Sequence, residues 1–408
     1  MKVLGADPFV LFDDKSKNYY CYCTNEDGKP FNIYKSNDLI NWKFVSYALD
    51  TSINCWFSDW LWAPECYFNP HNGYYYLFYS ARLKEELVAE YFEDAGFTEC
   101  AKIGVAVSKS PEGPFINITD RPLDYYPFDY LYHDINEVAS DIFANNLTYE
   151  DSLKAKTGVF VPSIDVSLTF DDDDIYLYCS RCCYKNCVYD KSLHKYIEES
   201  HVLGAKLDNK WWTSSPIPTM PLVNKEFIHF DNGKRKDKYV QLIAYGLEPQ
   251  KWENGHVFDY ENSHGLLPNR RWSEGSSTVK LNLQGKDAYC MTYSCNNYTN
   301  SQYGVGIAFS NQPLGQYVKY QNNPIIHELP AESLYSTGHG CWIKKDNDFY
   351  YFFHGRDGKD SPRSLYIGKL NILSKDNVYV DGIKSCHLLS LNEKGAACNF
   401  KKNLVNQK

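Results

Sequence analysis

Five stretches crowded with tyrosine and phenylalanine recur along the 408 residues: KNYYCYCT from Lys17, GYYYLFYS from Gly73, DIYLYCSR from Asp174, DAYCMTYS from Asp287 and DFYYFFHG from Asp348. Each follows a turn signal and has the length and β-rich composition of a strand. Each is followed by a lighter strand, FNIYKSNDL from Phe31, IGVAVSKSPEGPF from Ile103, VLGAKLDNKWW from Val202, YGVGIAFSNQPLGQY from Tyr303 and LYIGKLNI from Leu365. About ten to fifteen residues ahead of each aromatic run stands a short segment with a polar head, a spacing close to that of strands in repeated sheets. These heads are GADPFV, WAPECYF, PSIDVSLTF, SEGSSTVKL and TGHGCWI. A head strand, an aromatic strand, a lighter strand and a less distinct outer strand make one four-stranded blade, so five units predict an all-β, five-bladed β-propeller. A long β-sandwich meander is the alternative, since strands alone do not dictate radial packing.

The copies differ in length. Extra sequence falls at 83–100, 119–158, 183–200 and 213–268, and in repeat folds such insertions sit in loops, commonly on the binding face. LKEELVAEYF from Leu83 reads as a helix within one of them, FDDDD from Phe170 as a solvated turn, and the tail from Glu393 as the end of the last blade with a frayed terminus. One propeller domain over residues 1–408 accounts for the whole chain.

Composition narrows the partners. The formal net charge is −9, and no cluster of Lys and Arg answers to a phosphate backbone, which argues against nucleic acid. No apolar run reaches the length of a membrane span, and the start MKVLGADPF lacks the layout of an export signal, so a cytoplasmic location is expected. In that setting the 14 cysteines are expected to be reduced thiols. The cluster Cys179, Cys182, Cys183, Cys187 lacks the common zinc spacing. The 35 tyrosines suit strands first and sugar faces second.

In a propeller the first strand of every blade lines the central axis, so the heads converge. They offer Asp7, Glu65, Asp165, Glu274 and His339. Singly each has a structural explanation, such as a turn, a strand end or a local ion pair. Recurrence at one point of the repeat is harder to explain, because blade stability does not require acids around an axis and crowded like charges raise one another's pKa. Paired carboxyls suit glycosidic bond cleavage, in which one protonates the leaving oxygen and another activates water or attacks carbon. Glu274, with Trp272 nearby and small residues around it, is read as the acid, Asp7 as the base and Asp165 as a third carboxylate that tunes the acid.

These motifs resemble glycoside hydrolase family 43. The similarity rests on Asp7 in GADP, Asp165 in PSIDVS and Glu274 in SEGS, with WAPE at Trp62 to Glu65, GHG around His339 and HGR ending at Arg356, and it covers about residues 4 to 372. It implies an inverting mechanism with Asp7 as general base, Glu274 as general acid and Asp165 as pKa modulator. It also implies sugar contacts from Trp62, Glu65, His339 and Arg356, with Trp62 as an apolar wall and Arg356 supporting the base or a sugar hydroxyl. Some members hold a calcium ion or water at the axis near the equivalent of His339, so a structural calcium is open there, while catalysis requires no cofactor. Val166 and Ser276 stand where proline is frequent in the family, and the chain lacks the added β-sandwich of many β-xylosidases. The expected activity is exo-hydrolysis of terminal α-L-arabinofuranosyl or β-D-xylosyl units of plant-derived oligosaccharides. Endo-arabinanase action and a non-catalytic carbohydrate-binding propeller are the alternatives.

Overall fold

The computed structural model describes residues 1–92, 95–123, 162–183, 187–227 and 238–389. Five antiparallel sheets follow one another along the chain, each with strands in sequence order from the axis outward. The first blade is Ala6–Asp13, Asn18–Thr24, Asn32–Ser36 and Asn41–Tyr47. The second is Phe57–Phe68, Tyr75–Leu83, Ala101–Ser108 and Phe115–Asn117, with Leu49–Asp50 added at its outer edge. Ser163–Asp171, Asp174–Arg181, His201–Lys206 and Val240–Ile243 form the third. The fourth is Ser273–Leu283, Lys286–Cys295, Gly304–Ser310 and Val318–Lys319, and the fifth is Tyr335–Lys345, Asp348–Arg356, Ser364–Ser374 and Asn377–Ser385. All five aromatic runs are the second strands, as the repeat predicts.

Why those strands are aromatic throughout follows from where they lie. A strand in the middle of a blade faces a neighbouring blade on each side, so both sets of alternating side chains are buried. In Asn18–Thr24, Tyr20 and Tyr22 pack with Leu77 and Tyr79 of the second blade, whereas Tyr19, Cys21 and Cys23 pack with Phe352 and Ile367 of the fifth. The buried side chains accordingly divide into five cores, one in each gap between adjacent blades. Each large ring removed from water contributes about 2 kcal/mol, so the aromatic strands supply most of the inter-blade adhesion.

The ring closes without a disulfide, as none joins any two described cysteines. His387–Leu388 pairs parallel to Asn41–Trp42 of the first blade, and the backbone of Val3 bonds to Cys386 and Leu365 on the last.

The insertions are partly structured. Glu85–Tyr91 is the expected helix, and its Leu87, Val88 and Tyr91 enter the core between the first two blades. Cys187–Asp190 and Lys195–Glu199 form a hairpin that adds Arg270–Arg271 as a third, parallel strand. Within 213–268, Val240–Ile243 is the outer strand of the third blade rather than loop; four residues after a long excursion are too short for the repeat to show in sequence. Most of 119–158 and the tail from Glu393 lie outside the described residues. Among the described residues, no helix is long and apolar enough to cross a membrane.

Candidate active site

The five inner strands share a backbone feature that sets the site. Ala6, Trp62, Ile164, Glu274 and Gly338 pair with Thr24, Ser80, Ser180, Ser294 and His354 of their own second strands, and a β-bulge follows each pair. The residue just after each pair is left-handed: Asp7, Ala63, Asp165, Gly275 and His339 have φ of 49°, 50°, 56°, 58° and 36°. Such a conformation is strained for any residue but glycine, and a bulge re-aims the side chain it carries. In Asp7, Asp165 and His339 the strain turns a polar side chain toward the axis, where the three meet.

Strain at a buried bulge also frees an amide that needs a partner. The amide of Ala63 donates to Thr24 Oγ1 at 2.9 Å, that of Asp165 to Ser80 Oγ at 2.9 Å and that of His339 to Ser294 Oγ at 2.8 Å. Each bond runs to the second strand of the preceding blade. The amide of Asp7 closes the circle by donating to His354 Nδ1 at 3.1 Å. Between the third and fourth blades the pattern changes: the Gly275 amide donates to the carboxylate of Asp165, at 3.0 Å from Oδ2.

This register corrects the sequence alignment of the heads. Glu274 lies one residue before its bulge and Glu65 two residues after Ala63, so neither is equivalent to Asp7. A one-residue slip changes the face on which a side chain lies. Glu274 therefore approaches the group from the side. Glu65 is buried, accepts a short hydrogen bond from the Tyr67 hydroxyl, and has its pKa pushed up to about 8 by burial, against that bond. The Tyr67 oxygen also accepts the Leu168 amide at 2.8 Å.

Asp7 is 9% exposed and is packed among a hydroxyl, two imidazoles and a guanidinium. Thr24 Oγ1 donates to Oδ2 at 2.7 Å, while His354 Nδ1, His339 Nδ1 and Arg363 Nη1 lie 3.3, 3.4 and 3.6 Å from Oδ1. Burial alone would raise its pKa; His339, Arg363 and His354 outweigh burial and hold the carboxyl well below the usual range. Arg363 is itself fixed by Glu26, 2.6 Å from its Nε, and lies over the Tyr298 ring at 4.4 Å.

The other two carboxyls behave oppositely. Glu274 is pushed up to about 7 by burial and by Asp7, against the Tyr303 hydroxyl, which donates to Oε1 at 2.9 Å, and against Arg363. Asp165 is raised as well, by burial and then by the charges of Glu274 and Asp7, against the Gly275 amide. Asp165 and Glu274 thus retain a proton between them in a range where Asp7 has none.

Of the remaining sequence-derived residues, His339 lies between Asp7 and Asp165, 3.7 Å from the latter, and burial lowers its pKa. Trp62 stands at the level of Glu274 and stacks on Trp60, ring centres 4.8 Å apart. Arg82 covers Trp60 at 4.9 Å and is held by Asp59. Arg356 donates to the Ser361 carbonyl and reaches Glu26 at 3.9 Å; the guanidinium beside Asp7 belongs to Arg363. Thr24, Tyr303, His354 and Arg363 escaped sequence reasoning because they come from second and third strands or the turns before them, not from the heads. HGR held a partial signal, since its first residue is His354.

Calcium takes six to eight oxygen ligands. Among the described residues, no group of three or more His, Cys, Asp and Glu side chains is placed to hold a metal ion. The carboxylates nearest His339 are committed to Thr24, Arg363 and the Gly275 amide. Among the described residues these side chains by themselves do not supply that number of oxygens.

The model of the family described as Glycosyl hydrolases family 43 matches residues 1–129 and 145–375. The chain belongs to glycosyl hydrolases family 43. Solved structures agree with the fold. One titled a thermostable family-43 glycoside hydrolase has a TM-score of 0.64 at 23% identity, covering 97% of each chain. An endo-1,4-beta-xylanase from Bacteroides thetaiotaomicron VPI-5482 has a TM-score of 0.62 at 26% identity, covering 95% of this chain and 98% of its own. An alpha-L-arabinanase from Cellvibrio cellulosa, complexed with arabinohexaose, has a TM-score of 0.56 at 16% identity, covering 93% and 96%. A search of the curated proteins found no match. The five-bladed propeller is therefore that of a glycoside hydrolase family, whose members act on carbohydrate.

Proposed function

We propose that this propeller is an inverting exo-glycosidase that removes terminal α-L-arabinofuranosyl or β-D-xylosyl units from oligosaccharides. The observation that carries it is the meeting of carboxyls from three blades, with Asp7 facing the Arg363 guanidinium at 3.6 Å while burial pushes Glu274 up to about 7. That division is what acid and base at one glycosidic bond require. Glu274 donates its proton to the leaving oxygen as the bond to the anomeric carbon breaks. A water on the other face of the sugar forms the new bond to that carbon and gives its proton to Asp7. Asp165 shares a proton with Glu274 and, through the Gly275 amide, steadies the strand that carries it. The outer face of Trp62 serves as the sugar platform, with Trp60 and Arg82 stacked behind it.

Deep burial of Asp7, Asp165, His339 and Arg363 suits one terminal sugar better than an open polymer groove. Endo action is the second reading, favoured by the names of the xylanase and arabinanase neighbours. Hydrolysis of paired aryl α-L-arabinofuranosides and β-D-xylosides, with linear arabinan and xylan alongside, tests both. Release of one aryl sugar, lost in Asp7→Ala and Glu274→Ala, supports the exo reading. Cleavage of polymer alone supports the endo reading, and sugar binding without any cleavage would leave a binding propeller.

A further inference from the structure

We propose that Tyr303 is a positioning residue that sets the acid of the site against the base, with His354 as the spacer between them. The inference rests on the reading of Glu274 as acid and Asp7 as base. A continuous series of contacts joins the two carboxyls. The Tyr303 hydroxyl donates to Glu274 Oε1 at 2.9 Å, and the Tyr303 ring lies nearly parallel to that of His354, 17° apart with centres at 5.7 Å. His354 Nδ1 then accepts the Asp7 amide at 3.1 Å and lies 3.3 Å from Asp7 Oδ1. The series passes from the fourth blade to the fifth and on to the first, so it spans the pocket rather than bracing one sheet.

Both plates of the spacer are locked. Tyr303 is 1% exposed and His354 0%. The Tyr303 ring occupies the space that Gly338 leaves open, since a Cβ there would lie 1.9 Å from Tyr303 Cε1. Neither plate changes charge between about pH 4 and the alkaline limb. Burial lowers His354 to about 4, despite Asp7, and raises the Tyr303 phenol well above its ordinary value, with Glu274, Asp7 and Asp165 adding to the rise. The phenol remains a donor, and among the described residues His354 Nε2 has no hydrogen-bond partner that would compete for the ring's orientation. An inverting enzyme needs its two carboxyls set apart by enough room for a water. A stack of two rigid, uncharged rings holds such a gap without adding charge to it.

The test is the pH profile of Tyr303→Phe, which removes one oxygen and keeps the ring. Glu274 is faced by Tyr303, Asp7, Asp165 and Arg363, by the His339 ring against Gly275, and by the thiols of Cys182, Cys183 and Cys295, which burial keeps neutral. Of these, Tyr303 is the group that donates a hydrogen bond to its carboxylate. Losing that bond disfavours the ionised form, so the alkaline limb of kcat/KM should move up by about one pH unit. With a poor leaving group kcat should fall about tenfold while KM holds; with an activated aryl leaving group, which needs little protonation, the loss should be small. Gly338→Ala, which displaces the ring, should reproduce the leaving-group dependence. Glu274→Gln is measured alongside. If Glu274→Gln keeps full activity on the poor leaving group, the acid assignment falls and the proposal with it. If Glu274→Gln is inactive but Tyr303→Phe has the wild-type limb and kcat, the positioning role alone is overturned.

Discussion

At the junction of the second and third blades a serine hydroxyl holds the buried amide of Asp165; at the next junction the equivalent amide, on Gly275, is held by the carboxylate of Asp165 itself. Ser180 stands where Ser80 and Ser294 stand in register, yet its hydroxyl has no hydrogen-bond partner among the described residues. A hydroxyl that joins blades elsewhere has been replaced by a carboxyl at the blade carrying Glu274. This site is a local edit of a structural repeat. Burying a carboxyl is costly, and the cost falls where Asp165 and Glu274 hold a proton between them.

The largest effects should come from the two carboxyls that the edited junction serves. Glu274→Gln and Asp7→Asn each keep shape and lose charge or proton, and each should lower kcat on an unactivated substrate by about a thousandfold; steady-state kinetics on folded variants decides it.

Asp165→Asn breaks the comparison more selectively. Its amide oxygen still accepts the Gly275 N–H, so stability should change little, whereas kcat should fall about a hundredfold. With no second carboxyl to share the proton, Glu274 should ionise at lower pH, so the alkaline limb should shift down. Asp165→Ala also orphans the Gly275 amide and should cost about 1–3 kcal/mol in denaturant unfolding.

The wild-type profile follows from the same charges. On the proposed mechanism catalysis needs Glu274 protonated and Asp7 ionised, so activity should fall as pH rises through about 7. On the acid side it should persist below the usual carboxylate range, because Asp7 is held down by His339, Arg363 and His354 against burial. A kcat/KM titration that falls at pH 4 and is flat through pH 9 would reverse both assignments.

The smallest effects separate the junctions as structure. Ser80→Ala leaves the Asp165 amide unsatisfied and should cost about 1–3 kcal/mol of stability. Ser180→Ala removes a hydroxyl that bonds nothing and should stay within about 0.5 kcal/mol.

How far the sequence reaches is set by the same contrast. The aromatic strands were legible because both faces of a middle strand are buried, which writes a run of rings into the chain. Asp7, Asp165 and Glu274 were legible because acids recurred at the heads. The exact register was not, since a bulge inserts a residue without changing composition, and Glu65 was aligned with residues it does not match. Thr24, Tyr303, His354 and Arg363 were hidden for another reason. They read as ordinary strand and turn residues until closure of the ring brings the fourth, fifth and first blades together, and closure is a long-range property. Val240–Ile243 was too short and too remote from its blade to be counted.

The proposed mechanism gives Glu274 a proton to donate and leaves Asp7 ready to take one from water. The most direct measurement is proton NMR of the sugar in the first minutes of hydrolysis, before the anomers equilibrate. The account predicts that the first-formed sugar has the anomeric configuration opposite to that of the substrate. Retention of configuration would contradict it, because it would require a carboxyl, in place of water, to attack the anomeric carbon.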